Sequence, residues 1–332
     1  MTDSPLRIGV LGAASIVPSA LIDPARSLPE VQVVAIAARD LQRARAFAEK
    51  HKIPRVHASY ADLLADPQID AIYNPLPNGL HAEWSIRALK AGKHVLCEKP
   101  FASNAQEAQE MAQAASESGL VLSEAFAYHY HPLAARMKEI LASGEIGRVR
   151  HIDAQFCFLL PKPDDIRFKY ELGGGSLMDA GCYPASLIRF LAEAEPQVDS
   201  AKARLFAPQV DSAMTAELSF ADGRTAHLKC DMLSPLLFRS LVRVKGEAGT
   251  LSVVNPYHPH WFHWLRLQGR SGSHFERVPG ENIFILQLRA FVRAARGEAS
   301  LSTNPQNAIG NMRLIDAIYT KAGLLPRGRR QN

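Results

Sequence analysis

The stretch GKHVLCEKPFA, Gly92 to Ala102, decides the fold. His94 to Cys97 is a short, largely apolar run that ends directly in a carboxylate, an amine and a proline, Glu98-Lys99-Pro100. Ions are costly to bury unpaired, so such a strand end either opens into solvent or sits in a cleft where charge is used. Upstream, GLHAEWSIRALKAG (Gly79–Gly92) has the spacing of an amphipathic helix and leads back to a second apolar run, AIYN (Ala71–Asn74). Strand, helix, strand with near-continuous apolar strands is the unit of a parallel sheet covered on both faces.

The alternation continues outward from Arg7 to Ser123. RIGVL, VQVVAIA and LVLS are further strand candidates, and LQRARAFAEKH is another intervening helix. Residues 1–125 are therefore expected to form an α/β domain, a doubly wound parallel sheet of the Rossmann type. Beyond them the period changes. In SAMTAELSFADGRTAHLKCDM, Met214, Ala216, Leu218 and Phe220 alternate with Thr215, Glu217 and Ser219, and Asp222-Gly223 suits a hairpin turn. Residues 126–332 are expected to form an α+β domain with a large, mainly antiparallel sheet. One face of that sheet meets helices and the other stays open to solvent or to a partner subunit, so a homodimer or homotetramer through the open face is expected. Two helical patterns close the chain, Asn282–Glu298 and Pro305–Gly323, the last expected to pack back toward the first domain.

Composition narrows the classes. A chain of 332 residues, 47% hydrophobic and 21% charged, exceeds one ordinary core and has no low-complexity excess. Part of the net charge of +5 sits in the tail RGRR, Arg327–Arg330, and no basic stretch is interleaved with aromatics. Nucleic acid is thus not the expected partner, and attraction of an anionic small ligand is the better use of the excess. No run approaches the roughly 18 apolar residues of a membrane span, and Met1–Leu6 lacks a basic-then-apolar leader, so no membrane role and a cytoplasmic location are expected. Cys97, Cys157, Cys182 and Cys230 are far apart without a CxxC spacing and read as reduced thiols.

The first strand runs into GAASIVPSALI. Gly12 suits the tight turn and Pro18 the first turn of a helix, so Gly12, Ala13, Ala14, Ser15 and Ile16 are candidates for holding a dinucleotide phosphate. Ala14 and Val17 stand where the dinucleotide fingerprint wants its second and third glycines, so an ordinary strand-to-helix turn fits the stretch equally. The second strand delivers Ala38-Arg39 where an acid for the ribose hydroxyls belongs. A guanidinium there pairs with a 2′-phosphate, which favours NADP(H) over NAD(H), with Arg43 as a candidate helper. The alternative is a solvated Arg39 beside an Asp40 that caps the following helix.

At NPLPNGLHAEWSIRALKAGKHVLCEKP, Asn74–Pro100, the pattern of Pro75, His81, Ala91-Gly92-Lys93-His94-Val95 and Glu98-Lys99-Pro100 resembles the glucose-fructose oxidoreductase, inositol dehydrogenase and rhizopine-catabolism family (Gfo/Idh/MocA). GGGSLMDAGCYP, Gly173–Pro184, extends the resemblance over nearly the whole chain, and AARDLQRARAFAEKHKIP resembles the NADP-using dihydrodiol dehydrogenase branch. The resemblance implies that Lys99 faces nicotinamide and substrate, that Glu98 holds Lys99 or the cofactor ribose, and that a cis peptide precedes Pro100. It adds Pro75, Leu76, Asn78 and His81 to the cofactor contacts, His81 being equally suited to a helix start. An exposed Glu98-Lys99 ion pair is the plainer alternative.

Asp179 and Tyr183 are i and i+4, on one face if a helix begins at the glycines. The family usually has histidine where Tyr183 stands, whereas its dihydrodiol and keto-sugar reductase branches resemble this chain in having tyrosine. A phenol suits proton donation to a developing alkoxide, so Tyr183 is the expected proton carrier and Asp179 its orienting partner or a substrate contact. A buried structural tyrosine with a hydrogen-bonding aspartate is the alternative. Tyr128 and His129 in EAFAYHYHP, at the boundary between the expected domains, are further substrate candidates, and Arg167 in RFKYELGGG is a candidate for a loop over the nicotinamide. No metal is required by this chemistry. NPYHPHWFHW, Asn255–Trp264, has no role at this stage beyond core or subunit contacts. The expected function is NADP-dependent hydride transfer to or from a secondary alcohol or ketone of a sugar, cyclitol or cyclic dihydrodiol. The rival is a non-catalytic NADP-sensing regulator of the same fold.

Overall fold

In a computed structural model of the chain, β1 (Leu6–Leu11), β2 (Val31–Ala37), β3 (Arg55–His57), β4 (Ala71–Asn74), β5 (His94–Cys97) and β6 (Leu122–Glu124) form one sheet in the order β3-β2-β1-β4-β5-β6. Every pairing in it is parallel. The structure describes residues 4–269 and 272–328; Met1–Asp3 of the N-terminal stretch and Arg329-Arg330 of the basic tail lie outside the described residues. Val10, Ile36, Ile72, Tyr73 and Val95 are all buried. Central strands covered on both faces cannot alternate, which is why they read as continuous apolar runs. The strand order reverses between β1 and β4, and ligands of such sheets bind outside the carboxyl ends at that reversal. Register places Val10 beside Tyr73 and Tyr73 beside Leu96. The turns after β1, β4 and β5 therefore emerge at the same sheet end.

The second sheet has eight strands: β7 (Val149–Leu159), β8 (Gln197–Ala207), β9 (Val210–Ser219), β10 (Thr225–Asp231), β11 (Leu233–Gly246), β12 (Thr250–Val254), β13 (Trp264–Gly269) and β14 (Gly272–Glu276). Their order is β14-β13-β12-β11-β7-β10-β9-β8, antiparallel except for the β7–β10 pair. Met214, Ala216, Leu218 and Phe220 are buried as their alternation required, and Gly223 turns the hairpin at φ +84°. The helix Cys182–Ala192 packs on β7 and β10. The other face carries Glu217, His227, Asp153, Arg243 and Lys245, with His227 Nδ1 3.2 Å from Asp153 Oδ1.

The chain divides into two units at points other than 125/126. The first comprises 1–102, 106–127 and 284–309; the second comprises 103–105, 128–283 and 310–332. The last helix, Pro305–Lys321, straddles that division at Ile309, and the preceding helix, Ile283–Ala295, lies almost wholly in the first unit. The reason lies at the sheet edge. β6 is an edge strand with backbone groups to satisfy, and the connection between the two helices supplies partners: Glu124 N–H donates to Thr303 O at 3.0 Å, and the Ser123 and Thr303 hydroxyls lie 2.9 Å apart. Among the described residues no helix is long and apolar enough to cross a membrane.

Candidate active site

In the first unit the turn after β1 is built around Gly12, whose φ of +87° suits glycine and whose N–H donates to Ala37 O at 2.7 Å. A Cβ there would stand 3.1 Å from Leu76 Cδ2, so the turn seats against the segment after β4. Ala13 is buried, Ala14 half-buried, and Ser15 and Ile16 are exposed ahead of the π-helical turn Pro18–Ile22. Arg43 reaches back from the helix Leu41–His51 and donates through Nη2 to Ala13 O at 2.7 Å. Arg39 is exposed at the end of β2, and Asp40 caps that helix by accepting from Arg43 N–H at 3.0 Å. Both readings of Arg39-Asp40 are thus compatible: the aspartate serves the helix and the guanidinium stays at the strand end. A left-handed glycine turn, an exposed Ser15-Ile16 and two guanidiniums where the usual acid is missing fit a dinucleotide with a 2′-phosphate.

The turns after β4 and β5 are tied to each other. Asn74, wholly buried, donates to His81 O at 3.2 Å and Ser85 Oγ at 3.0 Å, while its Oδ1 accepts from Leu76 N–H at 3.3 Å. Pro75 and Leu76 are buried, and Asn78 is half-buried in the short turn Asn78–Leu80. His81 opens the helix His81–Lys90 and is fully enclosed, Nδ1 lying 2.9 Å from Pro100 O and Nε2 2.7 Å from Leu76 O. Burial pushes its pKa down to about 4 against the pull of the two carbonyls. The resemblance placed His81 at the cofactor; in the structure its ring meets two backbone carbonyls, of Leu76 and Pro100.

The strand end that opened the question is satisfied piece by piece. The buried Tyr73 phenol donates to Glu98 Oε1 at 2.6 Å, and Lys99 N–H lies 3.4 Å from Glu98 Oε2. The Lys99–Pro100 peptide is cis, as the resemblance implied. Phe101 N–H donates to the buried carboxylate of Glu124 at 2.9 Å. Lys99 is half-buried at the sheet end that carries the Gly12 turn.

In the second unit GGGSLMDAGCYP starts its helix differently from the expected single run. Leu177–Gly181 is a π-helical turn and Cys182–Ala192 an α-helix, so Asp179 and Tyr183 flank a change of helix type. Such turns recur at functional sites. The carboxylate of Asp179 accepts from Arg167 Nε at 2.9 Å, and Arg167 Nη1 donates to Asp165 at 3.1 Å. Asp179 and then Asp165 hold the guanidinium above its ordinary pKa, so the expected cofactor contact of Arg167 begins from a residue engaged by two carboxylates of its own unit.

Tyr183 is half-buried among aromatic rings: Phe156 at 5.2 Å, Tyr257 at 5.3 Å, His258 at 5.8 Å and Tyr128 at 6.4 Å. This gives NPYHPHWFHW a place. Asn255, at φ +54°, donates from Nδ2 to His258 O and Phe262 O, both at 2.8 Å, folding the loop so that Tyr257 and His258 meet Tyr183. Tyr128 is buried and donates to Ser186 Oγ at 2.9 Å, and His129 Nε2 lies 3.1 Å from the same hydroxyl. Burial, then the charges of Arg189 and Lys138, push the His129 pKa down to about 3, so its imidazole is neutral at working pH. Both expected substrate contacts thus support the helix of Tyr183 through Ser186. Among the described residues no group of three or more His, Cys, Asp or Glu is placed to hold a metal ion.

Tyr73, Ser186, Tyr257 and His258, which contact the candidate residues, were not picked out by sequence reasoning. The aromatic run at Asn255–Trp264 was the one visible signal, without a target.

Known proteins agree with this architecture. Residues 6–126 match the oxidoreductase family with an NAD-binding Rossmann fold, and residues 134–252 match the GFO/IDH/MocA C-terminal domain. The chain belongs to the Gfo/Idh/MocA family. Within it, the chain is 35% identical to D-xylose 1-dehydrogenase (NADP(+)) 2 of Haloferax volcanii, over 96% of this chain and 97% of the relative. It is 38% identical to trans-1,2-dihydrobenzene-1,2-diol dehydrogenase of Xenopus tropicalis, over 69% of this chain and 68% of the relative. Among solved structures, the 3-ketoreductase KijD10 of Actinomadura kijaniata, in complex with NADP and TDP-benzene, superposes with a TM-score of 0.89 at 30% identity, covering 96% of this chain and 98% of that one. This Gfo/Idh/MocA chain is accordingly an oxidoreductase.

Proposed function

We propose that the chain uses NADP(H) to interconvert a secondary alcohol and a ketone on a sugar, cyclitol or cyclic dihydrodiol. The observation that carries this reading is the half-buried Lys99, which follows β5 at the sheet end where the Gly12 turn opens. Gly12–Ile16 would hold the cofactor's phosphates, with Arg39 and Arg43 at its 2′-phosphate. NADP(H), when bound, supplies or accepts the hydride. Lys99 stabilises negative charge on the substrate oxygen, and Tyr183 delivers or takes the proton there. Asp179, held by Arg167, fixes the approach of the Tyr183 helix or a substrate hydroxyl. The rings of Phe156, Tyr257 and His258 shield the phenol from water and offer flat apolar surface to a ring-shaped substrate.

A homodimer or homotetramer through the open face of the eight-stranded sheet belongs to the same reading. Exposed Val254, Trp264 and Phe275, which share the face of Arg243 and Arg266, favour it. Four free, buried cysteines accord with a reducing cytoplasm.

The test is to mix the protein with NADPH, or NADP, and a panel of keto-sugars, free aldoses and dihydrodiols while following nicotinamide absorbance. Turnover of at least one cyclic polyol or ketone is expected. Tight NADPH binding with no turnover across the panel would replace this reading with that of a nucleotide sensor.

A further inference from the structure

The sequence counted Arg327 in a basic tail. The structure buries it completely, in an ion pair with an equally buried Asp211 at 2.9 Å. Its guanidinium is used on three sides: Nη2 on Asp211, Nη1 donating to Leu325 O at 3.0 Å, and Nε donating to Gly174 O at 2.6 Å. The guanidinium carbon lies 4.0 Å from the centre of the Tyr319 ring. Asp211 is used as fully. Oδ1 also accepts from the Tyr319 hydroxyl at 2.9 Å, and Oδ2 accepts from Leu177 N–H at 2.7 Å.

Gly174 ends one side of the glycine turn and Leu177 begins the π-helical turn that carries Asp179 and leads into Tyr183. The ion pair grips the backbone on both sides, a carbonyl through Arg327 and an N–H through Asp211. Between them Gly175, at φ +133°, leaves no room for a side chain, since a Cβ would collide with the Asp211 carboxylate. Two buried charges are a costly staple when apolar contacts bring equal stability, but a directional pair holds one geometry. Its directions here end on the turn that aims Tyr183.

We propose that Arg327 is a positioning residue for the reaction: through Asp211 and the Gly174 carbonyl it sets the start of the Leu177–Gly181 turn, and so the aim of Asp179 and Tyr183. The inference rests on the reading that Tyr183 moves the proton, and one readout is independent of it.

Arg327→Lys keeps a cation but loses the three-sided grip, and Tyr319→Phe removes only one hydroxyl bond to Asp211, so at least the latter should fold. Each variant would be assayed for kcat, KM, the pH profile of kcat, NADPH affinity and amide hydrogen exchange over Leu177–Gly181. Arg327→Lys is expected to exchange at Leu177 at least about tenfold faster, to lose at least about tenfold in kcat with NADPH affinity within about threefold of the parent, and to shift the basic limb of the pH profile. Tyr319→Phe should move the same readouts in the same direction by less. Free guanidinium added to Arg327→Ala should restore part of kcat. Unchanged exchange at Leu177 in Tyr319→Phe and in any folded Arg327 variant would overturn the proposal. Faster exchange with an unaltered kcat and pH profile would also overturn it, leaving a staple without a catalytic effect. Normal turnover by Tyr183→Phe would instead remove the functional reading, a different failure that the exchange data keep apart.

Discussion

Tyr73 on β4 donates its phenol proton to Glu98 Oε1 at 2.6 Å, across to the end of the neighbouring strand β5. That bond decides what the charged strand end is. A carboxylate leaving a buried strand needs a donor, and a phenol fixed in the sheet supplies it without a loop. Glu98 is thereby held in place, and Lys99 next to it is half-buried.

Removing that donor has a definite cost. Tyr73→Phe is expected to lower folding stability by about 1–3 kcal/mol, the worth of a hydrogen bond to a charged acceptor with little compensating water. Urea unfolding of the two proteins measures it, and equal midpoints would show that Glu98 finds another donor.

Cofactor preference follows from Arg39 at the end of β2. The parent is expected to bind NADPH more tightly than NADH, and Arg39→Ala to narrow the gap by roughly 1.5–3 kcal/mol, a charge-assisted phosphate contact. Fluorescence titration with both cofactors reads it directly. Equal affinities in the parent would contradict the assignment.

Chemistry follows from Lys99 and Tyr183. Tyr183→Phe removes the proposed proton carrier, and Lys99→Met removes the proposed oxyanion-stabilising charge; each is expected to lower turnover by at least about a hundredfold. NADPH affinity should change less for Tyr183→Phe than for Lys99→Met, and the double variant should lose less than the product of the single losses because the residues work as a unit. Near-normal turnover by Tyr183→Phe would end the mechanism. His129, neutral down to about pH 3 and bonded to Ser186, is a poor substitute carrier.

Acid sensitivity follows from three histidines that the fold keeps neutral. Burial pushes His81 down to about 4, His129 to about 3 and His131 to about 4, the last helped by His263 and His260. A histidine with a depressed folded pKa binds its proton more readily unfolded, so stability is full above about pH 6.5 and falls as pH drops toward the folded values. Each contributes a slope of at most about 1.4 kcal/mol per pH unit across that window. His227 acts the other way. Its bond to Asp153 raises its pKa, so its contribution is present at low pH and lost as pH rises through the folded value. The net expectation is a denaturant midpoint that falls steeply from pH 6.5 to 4.5. A flat midpoint over that range would mean that these rings are hydrated.

The division between sequence and structure follows the range of the interactions. β1, β2, β4 and β5 were legible because strands covered on both faces must be apolar throughout, and the β9–β10 hairpin because one covered face imposes alternation. β3, with three half-buried residues at the sheet edge, had no such constraint and left no pattern. Gly12 and Arg39 were legible as candidates by their place at the ends of elements, and Lys99 and Tyr183 by the family pattern around them. What those residues touch was not. The Tyr73–Glu98 bond spans 25 residues, and the Arg327–Asp211 pair spans 116. The loop between β12 and β13 brings Tyr257 and His258 to Tyr183, on a helix far from it in the sequence. A chain can announce a strand or a cap within one turn of itself, because propensity and burial pattern act locally. Which buried donor faces which buried acceptor is settled only when the sheets close, since the cost of leaving either unpaired falls due only once water has been excluded from both.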